Sequence, residues 1–126
     1  DIFNYSYGVR GYYGVVFERP DLLAVIDDET APIVARVYLL QGLMHLERWA
    51  DNQVQQKRIA KLEELLPSLP EDENLEKLRR SSVLALADAH LSHGDKASGQ
   101  AYFETYNWDE FGGQKARART IAKELE

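Results

Sequence analysis

The side chains whose types and spacing best suit chemistry are Asp88, His90, His93 and Asp95, in the run DAHLSHGD. Imidazole nitrogens and carboxylate oxygens together suit zinc or a similar divalent ion. On a helix, two histidines three residues apart share a face. A closed metal site needs a further firm ligand from elsewhere in the chain. Gly94 directly follows His93 and marks a helix end, where a protonated histidine complements the negative pole of the helix dipole. The pattern therefore favours a polar cluster at a helix end over a metal centre, and no metal or cofactor is expected.

Other catalytic patterns are absent from the sequence. There is no cysteine, which removes disulfides, thiolate-bound zinc and thiol catalysis together. Ser81, Ser82, Ser92 and Ser98 fall in helical segments without a base-and-orienter pattern, and no G-x-S-x-G elbow occurs. Gly8, Gly11 and Gly14 are spaced by three, unlike the G-x-G-x-x-G fingerprint, and no Lys-Ser or Lys-Thr follows them. The abundant carboxylates read as a solvated acidic surface rather than an acid–base pair. The chain is not expected to be an enzyme. With a net charge of −6 it also lacks the basic balance of a nucleic-acid binder. The cations Lys115, Arg117, Arg119 and Lys123 are too few to reverse that reading.

The elements that must hold these residues are helical. At 126 residues, 44% hydrophobic and 29% charged, the chain fits one globular domain. No run of about 18 apolar residues occurs, so no membrane insertion is expected. Thr30 can cap a helix with Pro32 near its start. Ile33, Val37, Leu40 and Met44 then form one stripe, and Leu39, Leu43 and Leu46 a second. A stripe so wide predicts a helix packed on two sides. Asp51 caps the next helix, with Val54, Ile59, Leu62 and Leu66 inward and Gln55, Gln56, Lys57, Lys61 and Glu64 mostly outward. Pro67 ends it.

Ser68 and Glu71 have capping-box spacing, predicting a third helix from there to about His93. Asp95 caps a fourth helix, expected to reach about Asn107, and Gly112-Gly113 breaks the chain again. A last helix over 114–125 carries Ala118, Ile121, Ala122 and Leu125 on one side. Residues 1–28 form an aromatic-rich segment, read as helix over 3–17 in preference to a short strand at Val15-Val16-Phe17. Pro20-Asp21 starts a short helix over 22–26. The chain begins at Asp1 and shows no signal peptide, which suggests an excised or processed piece. The cytoplasm is the expected compartment, with the periplasm as the alternative.

Two helical hairpins stand out, 30–66 and 68–107, followed by a helix over 113–125. Aligning Gly42 with Ala87 matches Leu39 with Leu84, His45 with His90 and Leu46 with Leu91. In the second hairpin Ala87, His90, Gly94-Asp95, Gly99 and Phe103 follow the small, medium, turn, small and large order of a tetratricopeptide unit. The chain resembles that family over 81–106. The first hairpin is divergent: it has Trp49-Ala50-Asp51 at its turn, and the repeat offset exceeds the usual about 34 residues. The resemblance implies an all-α fold of antiparallel helical hairpins, stacked as a short tetratricopeptide-like α-solenoid with a C-terminal capping helix. An unrelated helical bundle is the alternative.

The resemblance further implies that the first helix of each hairpin lines a concave surface. The partner-binding residues carried over are Arg36, Leu39, Leu43 and Glu47, with Ser81, Leu84, Asp88 and Leu91. Against this, the leucines, Leu39 and Leu43 above all, also suit a packed core. Tyr5, Tyr7, Tyr12, Tyr13 and Phe17 form a dense aromatic patch, suited to an interface or to covering the first hairpin. Self-association through Tyr5, Tyr12 and Tyr13 is one expectation. The expected function is a protein–protein interaction module or adaptor that holds a partner segment, without catalysis. The alternatives are an acidic inhibitor or immunity-type protein that blocks a basic partner, and a small helical metal-binding protein or enzyme around Asp88, His90 and His93.

Overall fold

A computed structural model describes residues 24–46 and 51–126. The regular elements among these residues are all helices, and no strand occurs among them. A 3-10 turn, Ala24–Asp27, leads into α1, Ile33–Leu46. Helix α2 is Asn52–Leu65, α3 is Glu76–Ser92, α4 is Lys96–Phe103 and α5 is Lys115–Leu125. Short 3-10 turns at Leu66–Ser68, Glu73–Leu75, Trp108–Glu110 and Gly112–Gln114 join them. The expected helix over 3–17 and the tyrosine patch lie outside the described residues, as does Glu47.

Helix α3 is central. It touches α1 and α2 on one side and α4 and α5 on the other. Every residue from 81 to 89 is buried. Its alternation of Leu84 and Leu86 with Ser81, Ser82, Ala85, Ala87 and Ala89 explains this. The leucines fill space, and the small residues let neighbouring backbones approach closely. Ser82 is buried without penalty because its hydroxyl donates to the Leu78 carbonyl at 2.9 Å.

The caps at Asp51 and Asp95 form as expected. The Asp51 carboxylate accepts from the Gln53 N–H at 2.8 Å, and Asp95 accepts from the Ser98 N–H at 3.0 Å. Other boundaries differ from the sequence reading. Ser68 does not open the third helix. Leu69 is buried in the first core and holds an extended backbone there, which a starting helix cannot supply. Asp72 caps the following 3-10 turn instead, accepting from the Asn74 N–H at 2.9 Å, and α3 begins only at Glu76. Thr30 does not occupy the cap position: its N–H and hydroxyl both donate to Asp28, and α1 starts only after Pro32, whose carbonyl accepts from the Arg36 N–H at 3.1 Å. Gln55, expected outside, is 1% exposed. It shares a face with Ile59 and Leu62 at i, i+4 and i+7, which settles its direction more strongly than its polarity does.

Helix α4 ends at Phe103 rather than Asn107. The Trp108 indole N–H donates to the Phe103 carbonyl at 2.7 Å and satisfies one of the end carbonyls that a longer helix would have paired. Gln114 docks α5 onto α3. Its buried side-chain amide donates to the Ser81 hydroxyl at 2.9 Å and the Lys77 carbonyl at 3.3 Å, and its oxygen accepts from Arg80 Nε at 3.0 Å.

Candidate functional site

The corner between α3 and α4 holds the residues that first suggested metal chemistry. Gly94 adopts φ +84°, the left-handed conformation that glycine takes at little cost. The Gly94 N–H reaches the Leu91 carbonyl at 3.1 Å, and the Asp95 N–H reaches the His90 carbonyl at 2.9 Å. This pair of bonds is a Schellman ending. Asp95 caps the next helix at once, and the Ser98 hydroxyl also donates to it at 2.7 Å. The bonds from the Ser98 N–H and hydroxyl hold the Asp95 carboxyl below its usual range.

His90 is clamped between two carboxylates on its two ring nitrogens. Nε2 lies 3.4 Å from Glu63 Oε2 of α2, and Nδ1 lies 3.8 Å from Asp95 Oδ2. Carboxylates on opposite edges of a ring cannot converge on one ion. Among the described residues no three of His, Cys, Asp and Glu are grouped to hold a metal. The His90 ring stacks on Tyr102, centroids 5.7 Å apart, and the Tyr102 hydroxyl donates to Glu63 Oε2 at 2.6 Å. Burial, then the hydrogen bond to Glu63 and its charge, push the Tyr102 phenol well above its ordinary pKa. It therefore stays a hydrogen-bond donor at neutral pH. The cluster ties α2, α3 and α4 together. His93 caps α3, and its Nε2 is buried without a hydrogen-bond partner. His45, the repeat equivalent of His90, is exposed.

The residues expected on a concave partner-binding face lie mostly inside the molecule. Leu39 is 4% exposed, and Leu43 and Leu84 are fully buried. Leu91 is half-buried and packs where Gly99 of α4 comes close. Arg36 is buried and donates through Nε to the Ile26 carbonyl at 3.0 Å. Ser81 accepts from Gln114, and Asp88 is also buried. A surface partner reaches the leucines of α1 and Leu84 only by displacing core packing.

An open surface lies instead beside α4 and α5. Phe103, Tyr106, Trp108 and Phe111 form an aromatic cluster. The Arg80 guanidinium sits 4.0 Å from the Phe111 ring centre, a cation–π contact that braces it against α3. Against this cluster a groove of about 280 Å³ opens between α4, the turn at Trp108–Glu110, and α5. Phe103, Tyr106 and buried Trp108 line its base. Ala118 and Ala122, one turn apart on α5, line the wall, and their small size leaves the space open. Half-buried Lys115 and exposed Arg119 line the α5 side, and exposed Asn107 and Asp109 also line the groove. Among the described residues neither Lys115 nor Arg119 makes an ion pair.

The sequence reading did not find this groove, although its signal was present. The alanines of the last helix and the aromatics after residue 102 were both visible. Their meeting depends on how the 104–114 connection folds. Comparison with protein-family models, with curated proteins and with solved structures gave no match. Among the described residues no helix is long and apolar enough to cross a membrane.

Proposed function

We propose that this chain is a protein–protein interaction module that holds a segment of a partner protein on its helical surface, without catalysis. The groove beside Phe103, Tyr106 and Trp108 carries the reading. It combines aromatic area with cations free to pair, the mixture that favours an anchored side chain from a partner. The proposal keeps a tetratricopeptide-like hairpin in α3 and α4, with α5 as its cap. Its support is the close crossing at Gly99, where an added Cβ would lie 2.9 Å from Leu91 Cγ and 3.0 Å from the Ala87 carbonyl. The binding face moves from the buried leucines to the side of α4 and α5.

The net charge of −6 supports a second reading, an acidic inhibitor that blocks a basic partner. Photo-crosslinking in the native host separates the two. A crosslinking side chain at Arg119, on the groove rim, should capture a partner. One at Glu29, in the exposed acidic run before α1, should not. Capture from Glu29 alone would favour the inhibitor, and silence at both positions would count against both readings.

A further inference from the structure

We propose that the groove binds a short acidic segment of a partner protein that carries a large apolar side chain beside its carboxylates. This rests on the interaction-module reading and adds the chemistry of the partner. The volume of about 280 Å³ falls at or below the range of about 300–1,000 Å³ typical of pockets that enclose whole small molecules. It suits one or two side chains of an extended segment. Phe103, Tyr106 and Trp108 offer those side chains an aromatic base, and Ala118 and Ala122 leave the room.

Charge selects what flanks the anchor. Lys115 and Arg119 are four residues apart on α5, so they project from one face of the helix. With no carboxylate among the described residues holding them, they can pair with the partner's. The chain as a whole carries −6, so long-range charge opposes an acidic segment and only local cations can hold one. An acidic segment is repelled by most of this surface and attracted at this rim, which fixes where it lands and in which register. Asp109 also lines the groove and repels acid locally. The partner's carboxylates therefore lie toward Lys115 and Arg119, and its backbone N–H groups or hydroxyls lie toward Asp109 and Asn107. A basic segment would meet one carboxylate and two cations, an unfavourable balance.

The test is a selection of random peptides displayed on phage against the full chain. Enriched peptides are then titrated by fluorescence anisotropy. The expected result is enrichment of Asp or Glu next to Phe, Trp or Leu. Lys115→Glu with Arg119→Glu should weaken such a peptide by at least about tenfold, and binding should weaken with salt. Ala122→Trp, which fills the groove at a half-buried position, should weaken it similarly. The charge-reversal variant keeps the test valid if the tryptophan disturbs folding, and thermal melts by circular dichroism check both. Enrichment of basic or neutral peptides, or acidic peptides indifferent to charge reversal, overturns this proposal while the interaction-module reading stands. A selection that enriches no peptide overturns both.

Discussion

Around α1 and α2 the core is mainly aliphatic and deeply buried among the described residues: Val37, Leu40, Leu43 and Leu62 have no exposure, Tyr38 is buried with them, and Ile26 and Leu69 belong to the same cluster. Around α4 and α5 it is aromatic and partly open. There Trp108 is buried, while Phe103, Tyr106 and Phe111 remain half-exposed beside a groove. Both cores share α3. Aliphatic side chains at helical spacing interdigitate and leave little space. Large flat rings at the end of α4 and on the connection after it, facing alanines on the neighbouring helix, leave the layer partly unfilled. Among the described residues the first half thus buries its side chains more fully, and the second leaves aromatic surface open.

The largest test of this contrast is a pair of truncations. Leu40→Ala should lower stability by about 3 kcal/mol, through lost burial and the cavity left behind. Phe111→Ala, at a half-exposed ring, should cost about half as much. Urea midpoints measure both, and equal losses would mean the aromatic half is as closed as the aliphatic one. Next, Gly99→Val should cost about 2 kcal/mol. Leu91 Cγ at 2.9 Å and the Ala87 carbonyl at 3.0 Å crowd an added Cβ, and this overpacking outweighs the gain from removing a helical glycine. A stable Gly99→Val variant would sink the close crossing of α3 and α4.

A smaller effect is expected at the end of α4. Trp108→Phe keeps an aromatic ring but removes the N–H that holds the Phe103 carbonyl, with an expected loss of about 1 kcal/mol. Amide exchange should quicken near residues 103–106 and stay unchanged in α1. The smallest effect is read in alkali. Tyr102 holds its proton above its ordinary value of 10.0 in the folded chain. Below that pH both states are protonated and the contribution is complete. Above it the unfolded chain loses the proton first, so stability falls as pH rises. Tyr102→Phe should flatten that decline. Phenolate absorbance in the intact chain should show Tyr102 titrating late, as should Tyr106, whose phenol burial also pushes up, and the variant should lose one of these late phenols.

The helices were largely legible because their signals are local. Asp51, Asp95 and Gly94 mark ends that each depend on only a few neighbouring residues. What escaped was decided at a distance. The extended backbone that seats Leu69 in the first core overrode the spacing of Ser68 and Glu71. The doubled stripe of α1 showed two packed sides without saying what covers each. The 3-10 turn at Ile26, α2 and α3 all pack on α1, and Leu39 and Leu43 lie in that core. The groove needed the path of residues 104–114, which no periodicity describes.

Asp95 is at once the last bonded residue of one helical ending and the cap of the next helix. No slack residue separates them, so the corner sets the rotational phase of α4. One inserted or deleted residue there would turn that helix by about 100°. Gly99 would leave Ala87, Tyr102 would leave Glu63, and Phe103 would swing away from the groove. Substitutions at the corner change its strength, but a change of length would erase the groove while leaving both helices intact.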